Sequence, residues 1–301
     1  MTTKIGIIGL GLMGASLGLA LKNSKQAVTC YGQDIVVENI NYCLQENIID
    51  KKLTDDNIKL MDFIFIAVPV KATQTVMENI YPHLNTKKTI ISDMGSTKLY
   101  VCKLFKEKYP DVKFIAGHPM TGGEKSGARN ASADLYDEQS YILIDNAEDY
   151  SSFNQNNLQK VNSILQLLNC QLTCFSAAEH DLLAALTSHL PHLASFSFMN
   201  IFNDGDIKQV ISEKKYDKIK SLVGPGFLDF TRISACEPAI WLDIFQTNKT
   251  NIVDFIDLYI TQLQQFKTAL TTDDINNMTS IINGARTQKE NLSHNKQRKE
   301  N

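Results

Sequence analysis

Gly9-Leu10-Gly11-Leu12-Met13-Gly14 is a GxGxxG hexapeptide that follows the short apolar run Lys4 to Ile8 and opens onto Ala15-Ser16-Leu17-Gly18-Leu19-Ala20-Leu21. A strand before it and a helix after it give this pattern its physical meaning. Gly9 permits a tight turn, Gly11 lets the backbone approach a pyrophosphate, and Gly14 lets the helix pack closely on the strand. Leu10, Leu12 and Met13 complete the same turn, and the free N–H groups of the helix start face the anion. A second strand, Ala27 to Gly32, leads to Asp34, twenty residues beyond Gly14. A carboxylate there accepts hydrogen bonds from both ribose hydroxyls of an adenosine and repels a 2′-phosphate, which favours NAD over NADP. Enzymes of S-adenosylmethionine share a glycine-rich first turn and an acid on the second strand, so that alternative stays open at this point.

Alternating strands and helices follow. Phe63 to Val68 is a continuous apolar run, as expected of a strand covered on both faces. Further strands are expected at Thr89 to Asp93, Val112 to Ala116, Ser140 to Ile144 and Gln171 to Phe175, with helices between them. Such alternation predicts an α/β fold, a doubly wound and mostly parallel Rossmann-type sheet with ligands at the carboxyl ends of its strands. Val68, Pro69, Ser96 and His118 lie at those ends. Ser96 could equally cap the helix that begins there. His118 belongs to Gly117-His118-Pro119-Met120-Thr121-Gly122-Gly123-Glu124-Lys125-Ser126-Gly127, read as a loop holding a titratable imidazole, an acid, a base and four glycines. Pro119 pushes the preceding residue toward extended geometry, which holds the imidazole at the mouth of the strand. A histidine that merely caps the strand is the plainer alternative.

After Ser176 the composition turns helical and no strand is expected, so residues 1–176 read as the NAD-binding domain and 177–287 as an all-α domain. Pro191 should break or restart the helix containing His180-Asp181 and Ser188-His189-Leu190-Pro191-His192. His180 and His189 read as buried histidines bonded to backbone, and His192 as a ligand-binding residue. Absence of a carboxylate set with ligand spacing argues against a metal site. Arg232, beside the turn Gly224-Pro225-Gly226, suits a carboxylate clamp or an ion pair with Asp229 or Glu237. Asn251 to Leu270 is amphipathic, and 288–301 is expected to be a polar, disordered tail.

Composition narrows the function classes. The chain has 301 residues, 43% of them hydrophobic and 21% charged, which suits a globular protein of two domains. A formal net charge of -3 offers no field for nucleic acid. No run of apolar residues is long enough for a membrane span or signal segment, so a cytoplasmic protein is expected. Six cysteines without a CxxC pair indicate buried thiols, neither a disulfide framework nor zinc.

Four stretches together resemble the prephenate and arogenate dehydrogenases of tyrosine biosynthesis, over Lys4 to about Gly284: GLGLMGASLG (9–18), GHPMTGGEKSG (117–127), HDLLAALTSHLPH (180–192) and GPGFLDFTRISACEPAIW (224–241). The first is shared with many nucleotide-binding enzymes; the other three, in this order, are specific. The resemblance implies oxidative decarboxylation of prephenate to 4-hydroxyphenylpyruvate with NAD, with retained His192 favouring prephenate, or as the alternative of arogenate to tyrosine. It implies that His118 accepts a hydrogen bond from the ring hydroxyl with Ser96 beside it, that His192 and Arg232 bind substrate, the Arg at the ring carboxylate, and that Trp241 lines the pocket. Glu124 and Asp229 would make gating contacts at the entrance. The helical domain would form a homodimer, and tyrosine could compete as an inhibitor. A monofunctional form is expected, with no fused mutase before Lys4 and no regulatory domain after Gly284. A methyltransferase or a non-catalytic NAD-sensing module would leave His118, His192 and Arg232 unexplained. A 3-hydroxyacid dehydrogenase would need a catalytic lysine that the TSHLPH segment lacks.

Overall fold

The computed structural model describes residues 2–24, 26–123, 125–146, 148–150, 153–203, 207, 210–216 and 218–297. Its first sheet has six parallel strands in the order β3-β2-β1-β4-β5-β6. These are β1 (Thr3–Ile8), β2 (Val28–Gln33), β3 (Lys51–Lys52), β4 (Phe63–Ile66), β5 (Ile90–Asp93) and β6 (Lys113–Phe114). Helices α1 (Leu12–Asn23), α2 (Val37–Gln45), α3 (Ala72–Ile80) and α4 (Leu99–Lys108) connect them. The order reverses between β1 and β4, where the chain leaves the sheet first to one side and then to the other. That switch point opens a crevice at the carboxyl ends of the strands. Central strands are apolar because both faces are covered: Ile5, Ile7, Ile64, Phe65 and Ile91 have no exposed surface.

A second, three-stranded sheet was not anticipated. Its order is β7 (Gly117–Pro119), β8 (Ser140–Ile144) and β9 (Gln171–Phe175), with β7 antiparallel to β8 and β8 parallel to β9. His118 therefore sits in a strand opposite Ile142, and not in a loop. The extended geometry forced by Pro119 is what allows this pairing. Helix α5 (Gln155–Leu165) joins β8 to β9.

By its internal contacts the chain falls into two units, residues 1–249 and 250–301. The expected boundary at 176 is not where the packing divides. Ser176 is the N-cap of α6 (Ala177–Ala184), in a capping box with Glu179. One turn later Asp181 accepts the backbone N–H groups of Lys98 and Leu99, at 2.7 and 3.0 Å, so α6 is bonded directly to the start of α4. The break expected at Pro191 takes the form of a π-helical turn, Ala185–His189, before α7 (Leu190–Asn200), because proline has no N–H to continue the ladder. The second unit holds helix Ile275–Gln297 and, from its second residue on, helix Lys249–Thr271. The stretch expected to be a disordered tail is thus helical as far as Gln297. Its long-chain Lys, Arg, Glu and Gln residues are good helix formers, and Arg286 pairs with Glu290 one turn on.

The first glycine turn is a steric requirement. Gly9 has φ of +91°, and a Cβ there would lie 2.5 Å from the Ala67 carbonyl oxygen. A Cβ on Gly14 would lie 1.9 Å from the Gly9 carbonyl oxygen. Gly14→Ala should therefore force the turn apart and destabilise the protein by about 2 kcal/mol, a typical cost of overpacking. Urea unfolding should show a lowered midpoint at unchanged slope.

Candidate active site

A cavity of about 680 Å³ opens at the carboxyl ends of the first sheet's strands. Gly11, Leu12 and Met13 line it from the glycine turn, Val68 and Pro69 from the end of β4, and Ser96 from the loop after β5. His118 enters from β7, His192 from α7, Arg232 from the segment after helix Pro225–Thr231, and Trp241 from helix Pro238–Thr247. Most of the polar residues singled out from the sequence thus converge on one space, although they come from four separate stretches of chain.

The others are placed differently. Leu10 is fully buried and contributes only its backbone, whose N–H donates to Asp34 at 2.6 Å. Gly9 and Gly14 shape the turn without facing the cavity. Asp34 lies beyond the end of β2, off the cavity lining, and its other oxygen accepts the N–H of Val36 at 2.8 Å. Asp229 is exposed and also lies off the lining. Glu124 falls outside the described residues. Ser96 does not cap α4: Lys98 occupies the N-cap position without a side-chain cap, and the distant Asp181 takes the free amides instead.

The turn fits a nucleotide. A Cβ on Gly11 would meet nothing within 4 Å, so open space lies in front of the backbone at the start of α1. A helix N-terminus with an open glycine before it is the arrangement that admits a pyrophosphate.

Around His118 the protein is dense and polar. Its Nδ1 lies 2.8 Å from Nε2 of His180, whose own Nδ1 lies 2.7 Å from Oδ1 of Asp181. Both His180 and Asp181 are buried. Burial above all, followed by the nearby His180, Lys98 and His189, holds the His118 imidazole well below the ordinary histidine range. It is neutral at physiological pH. Lys98, with no exposed surface, pairs with Asp93 and donates to the Gly117 carbonyl at 2.6 Å. Asp93 in turn accepts the Gly117 N–H at 3.2 Å and the Gly95 N–H at 2.9 Å. The strand carrying His118 is therefore clamped at its first residue from both backbone groups.

His192 stacks on Trp241, with ring centroids 4.0 Å apart and planes 28° apart. Its Nδ1–H donates to the Ser188 carbonyl at 2.9 Å, which leaves Nε2 as an acceptor. Burial, outweighing the Ser188 bond that opposes it, lowers its pKa. Among the described residues His189 is bonded to a side chain, with Nδ1 accepting from Asn248 at 3.2 Å. His180 likewise departs from the expectation of a backbone partner. The roles of His180, Asp181, Lys98 and Asp93 escaped the sequence reading because each depends on a partner at least five and up to eighty-three residues away. The His180-Asp181 pair beside a helix start was the one local signal.

The nucleotide-binding-domain model of prephenate dehydrogenase matches residues 17–174, and the model of that enzyme's dimerization domain matches 176–283. The chain belongs to the prephenate dehydrogenase family. It is 29% identical over 281 residues to the prephenate dehydrogenase of Bacillus subtilis (strain 168), covering 92% of this chain and 73% of that one. The cyclohexadienyl dehydrogenase of Zymomonas mobilis is 28% identical over 274 residues, covering 90% of this chain and 89% of that one. Among solved structures, prephenate dehydrogenase from A. aeolicus in complex with hydroxyphenyl propionate and NAD+ superposes with a TM-score of 0.83. It shares 25% identity over 97% of this chain and 99% of that one. Arogenate dehydrogenase of Synechocystis, at 22% identity and a TM-score of 0.77 over 96% of this chain and all of that one, has the same fold. No helix among the described residues is long and apolar enough to cross a membrane.

The lowered histidine values have a consequence for stability. Burial lowers His189 from 6.5 to about 4. Between these values the unfolded chain binds a proton that the folded one does not, so stability is full above pH ~6.5 and falls as pH drops toward ~4. The span corresponds to about 3 kcal/mol for this group. Urea unfolding at pH 7 and pH 4.5 should show a smaller pH-dependent loss for His189→Leu than for the unsubstituted protein.

Proposed function

We propose that the chain is an NAD-dependent prephenate dehydrogenase that forms 4-hydroxyphenylpyruvate and carbon dioxide. The observation that carries this reading is the neutral, buried His118 facing a cavity that the glycine turn lines on one side and Arg232 and His192 line on another. Prephenate has a ring hydroxyl to be deprotonated and a ring carboxylate to be released. NAD, when bound, accepts the hydride from the carbon bearing that hydroxyl. The protein's own residues position and deprotonate. Neutral His118 takes the hydroxyl proton as the carbonyl develops, a role that requires the free base. Ser96 stands on the same lining and is proposed to hold the hydroxyl and the nicotinamide side of the site in register. Arg232 provides the planar fork that matches the ring carboxylate. Trp241, held by its stacking on His192, is proposed to line the pocket with apolar surface beside the substrate ring. Aromatisation drives the reaction, so orientation is the larger part of what the enzyme must provide.

Gly9 to Gly14 with Asp34 are proposed to hold NAD, with Val68 and Pro69 beside the nicotinamide half. Glu124 and Asp229 are proposed to act at the entrance. The functional division is proposed at residue 176, a reading supported by family models that match 17–174 and 176–283. A homodimer is supported by the dimerization-domain match and by Leu258, Leu263, Leu270 and Ile282, which leave apolar surface exposed on the helices of the second unit. A cytoplasmic place in aromatic amino acid biosynthesis, with tyrosine as a competitive inhibitor, follows from the same reading. One observation favours arogenate as a second substrate: the Nε2 of His192 is an acceptor, and arogenate offers it an ammonium donor that prephenate lacks.

Initial rates with prephenate and arogenate, each crossed with NAD and NADP, test the proposal directly. Turnover on prephenate with NAD is expected; faster turnover on arogenate would move the substrate assignment, and no turnover in any combination would end it. His118→Asn should lower kcat by about 100-fold or more with KM little changed, as loss of a general base does. Arg232→Ala should raise KM for prephenate by about tenfold to a hundredfold, the usual worth of hydrogen bonds to a charged group.

A further inference from the structure

We propose that His180 is a positioning residue: it fixes His118 in the tautomer that carries its proton on Nδ1, so that Nε2 is the lone pair available to the substrate hydroxyl. This rests on the reading of His118 as the base and names what makes it one.

The polarity of the chain of hydrogen bonds follows from its far end. Two backbone N–H groups donate to the Asp181 carboxylate, Lys98 to Oδ1 at 2.7 Å and Leu99 to Oδ2 at 3.0 Å, and His180 Nδ1 lies 2.7 Å from Oδ1. A carboxylate so surrounded acts only as an acceptor, so the proton between it and His180 resides on His180 Nδ1. His180 is buried, and burial holds it in the neutral form despite the adjacent carboxylate. A neutral imidazole with its proton on Nδ1 presents Nε2 as an acceptor. That atom lies 2.8 Å from His118 Nδ1, which must therefore donate. His118, neutral as well, is left with a bare Nε2. Left to itself, a neutral imidazole carries its proton on Nε2, which would make His118 a donor to the substrate and useless as a base.

The anchor is rigid. Asp181 is held by the first amides of α4, and its backbone carbonyl accepts from Asn248 at 2.6 Å. Lys98, whose charge also acts on His118, is compensated by Asp93 in a buried ion pair. Asp181 is then the charge that faces the imidazolium formed when His118 takes a proton, two hydrogen bonds away. The arrangement has the logic of a buried acid that orients a catalytic imidazole, with a second imidazole inserted between them.

The test uses the full-length chain labelled with ring-15N histidine, of which there are six. His118→Asn assigns the His118 signals. In the unsubstituted protein His118 should show a protonated Nδ1 and an unprotonated Nε2. His180→Gln can still accept from His118 with its carbonyl and donate to Asp181 with its amide; His180→Leu can do neither. His180→Leu should shift His118 to the Nε2-protonated form and lower kcat by about 100-fold, the range of general-base catalysis, with KM for prephenate within about twofold. His180→Gln should keep the tautomer and recover at least about tenfold of that loss. A protonated Nε2 on His118 in the unsubstituted protein would overturn the proposal, and so would a His180→Leu variant that keeps both tautomer and kcat. If His180→Leu does not fold, the spectra of the unsubstituted protein and His180→Gln still decide. The spectra do not depend on activity, so failure of the base assignment itself, seen as full turnover in His118→Asn, would be told apart from failure of the positioning role.

Discussion

The buried ion pair between Lys98 and Asp93 is the constraint on which the site depends. Neither side chain has more than a trace of exposed surface, and a lone charge there would be costly by several kcal/mol. The two satisfy each other and then spend their remaining hydrogen-bonding capacity on backbone. Lys98 takes the Gly117 carbonyl, and Asp93 takes the amides of Gly117 and Gly95. Gly117 cannot be replaced easily: a Cβ there would lie 2.9 Å from the Tyr141 ring and 3.1 Å from the Asp93 carbonyl oxygen. The pair thus pins the end of β5, the start of α4 and the start of β7 to one another. His118 is the next residue, so its position is inherited from a charge pair bonded to its neighbour Gly117.

A second tie runs from the same helix start. Helix α4 begins without a local cap, and its exposed amides are taken by Asp181, far along the chain. The favourable meeting of a carboxylate and a helix N-terminus joins the nucleotide-binding sheet to the first helix of the substrate side. With the bonds from Lys71 to Asp243 and between Thr97 and Thr247, it ties the chain after Ser176 to the sheet, and the two group as one unit although composition changes there. The bond that joins the two regions also orients His180. Structural cohesion and catalytic orientation are served by one carboxylate.

The nucleotide half of the site was legible because its signals are local. Gly9 and Gly14 meet steric demands set at the end of the adjoining strand and within the turn itself, Gly11 leaves open space before the helix, and Asp34 follows at a spacing fixed by one helix and one strand. The substrate half was legible only through resemblance to a family; as isolated residues, Arg232 and His192 had plausible plain roles. His180 and His189 were read as backbone-bonded because single-residue statistics favour that, whereas their partners are the side chains of His118, Asp181 and Asn248. The helical run to Gln297 was missed for the opposite reason. Polar composition points to disorder, whereas the Lys, Glu and Gln residues there are intrinsically good helix formers.

The sequence by itself determined the βα alternation, the nucleotide turn and the identity of the polar residues that could serve a dehydrogenase. Periodicity and steric rules act over a few residues, and those are written in order along the chain. Tertiary structure alone decided that His118 lies in a strand of a separate small sheet, that Lys98 and Asp93 clamp its neighbour, and that Asp181 reaches across to α4. It also decided which nitrogen of His118 is free. Protonation and tautomer are set by what stands within hydrogen-bonding distance, and here those neighbours come from positions 62 and 83 residues apart in the chain.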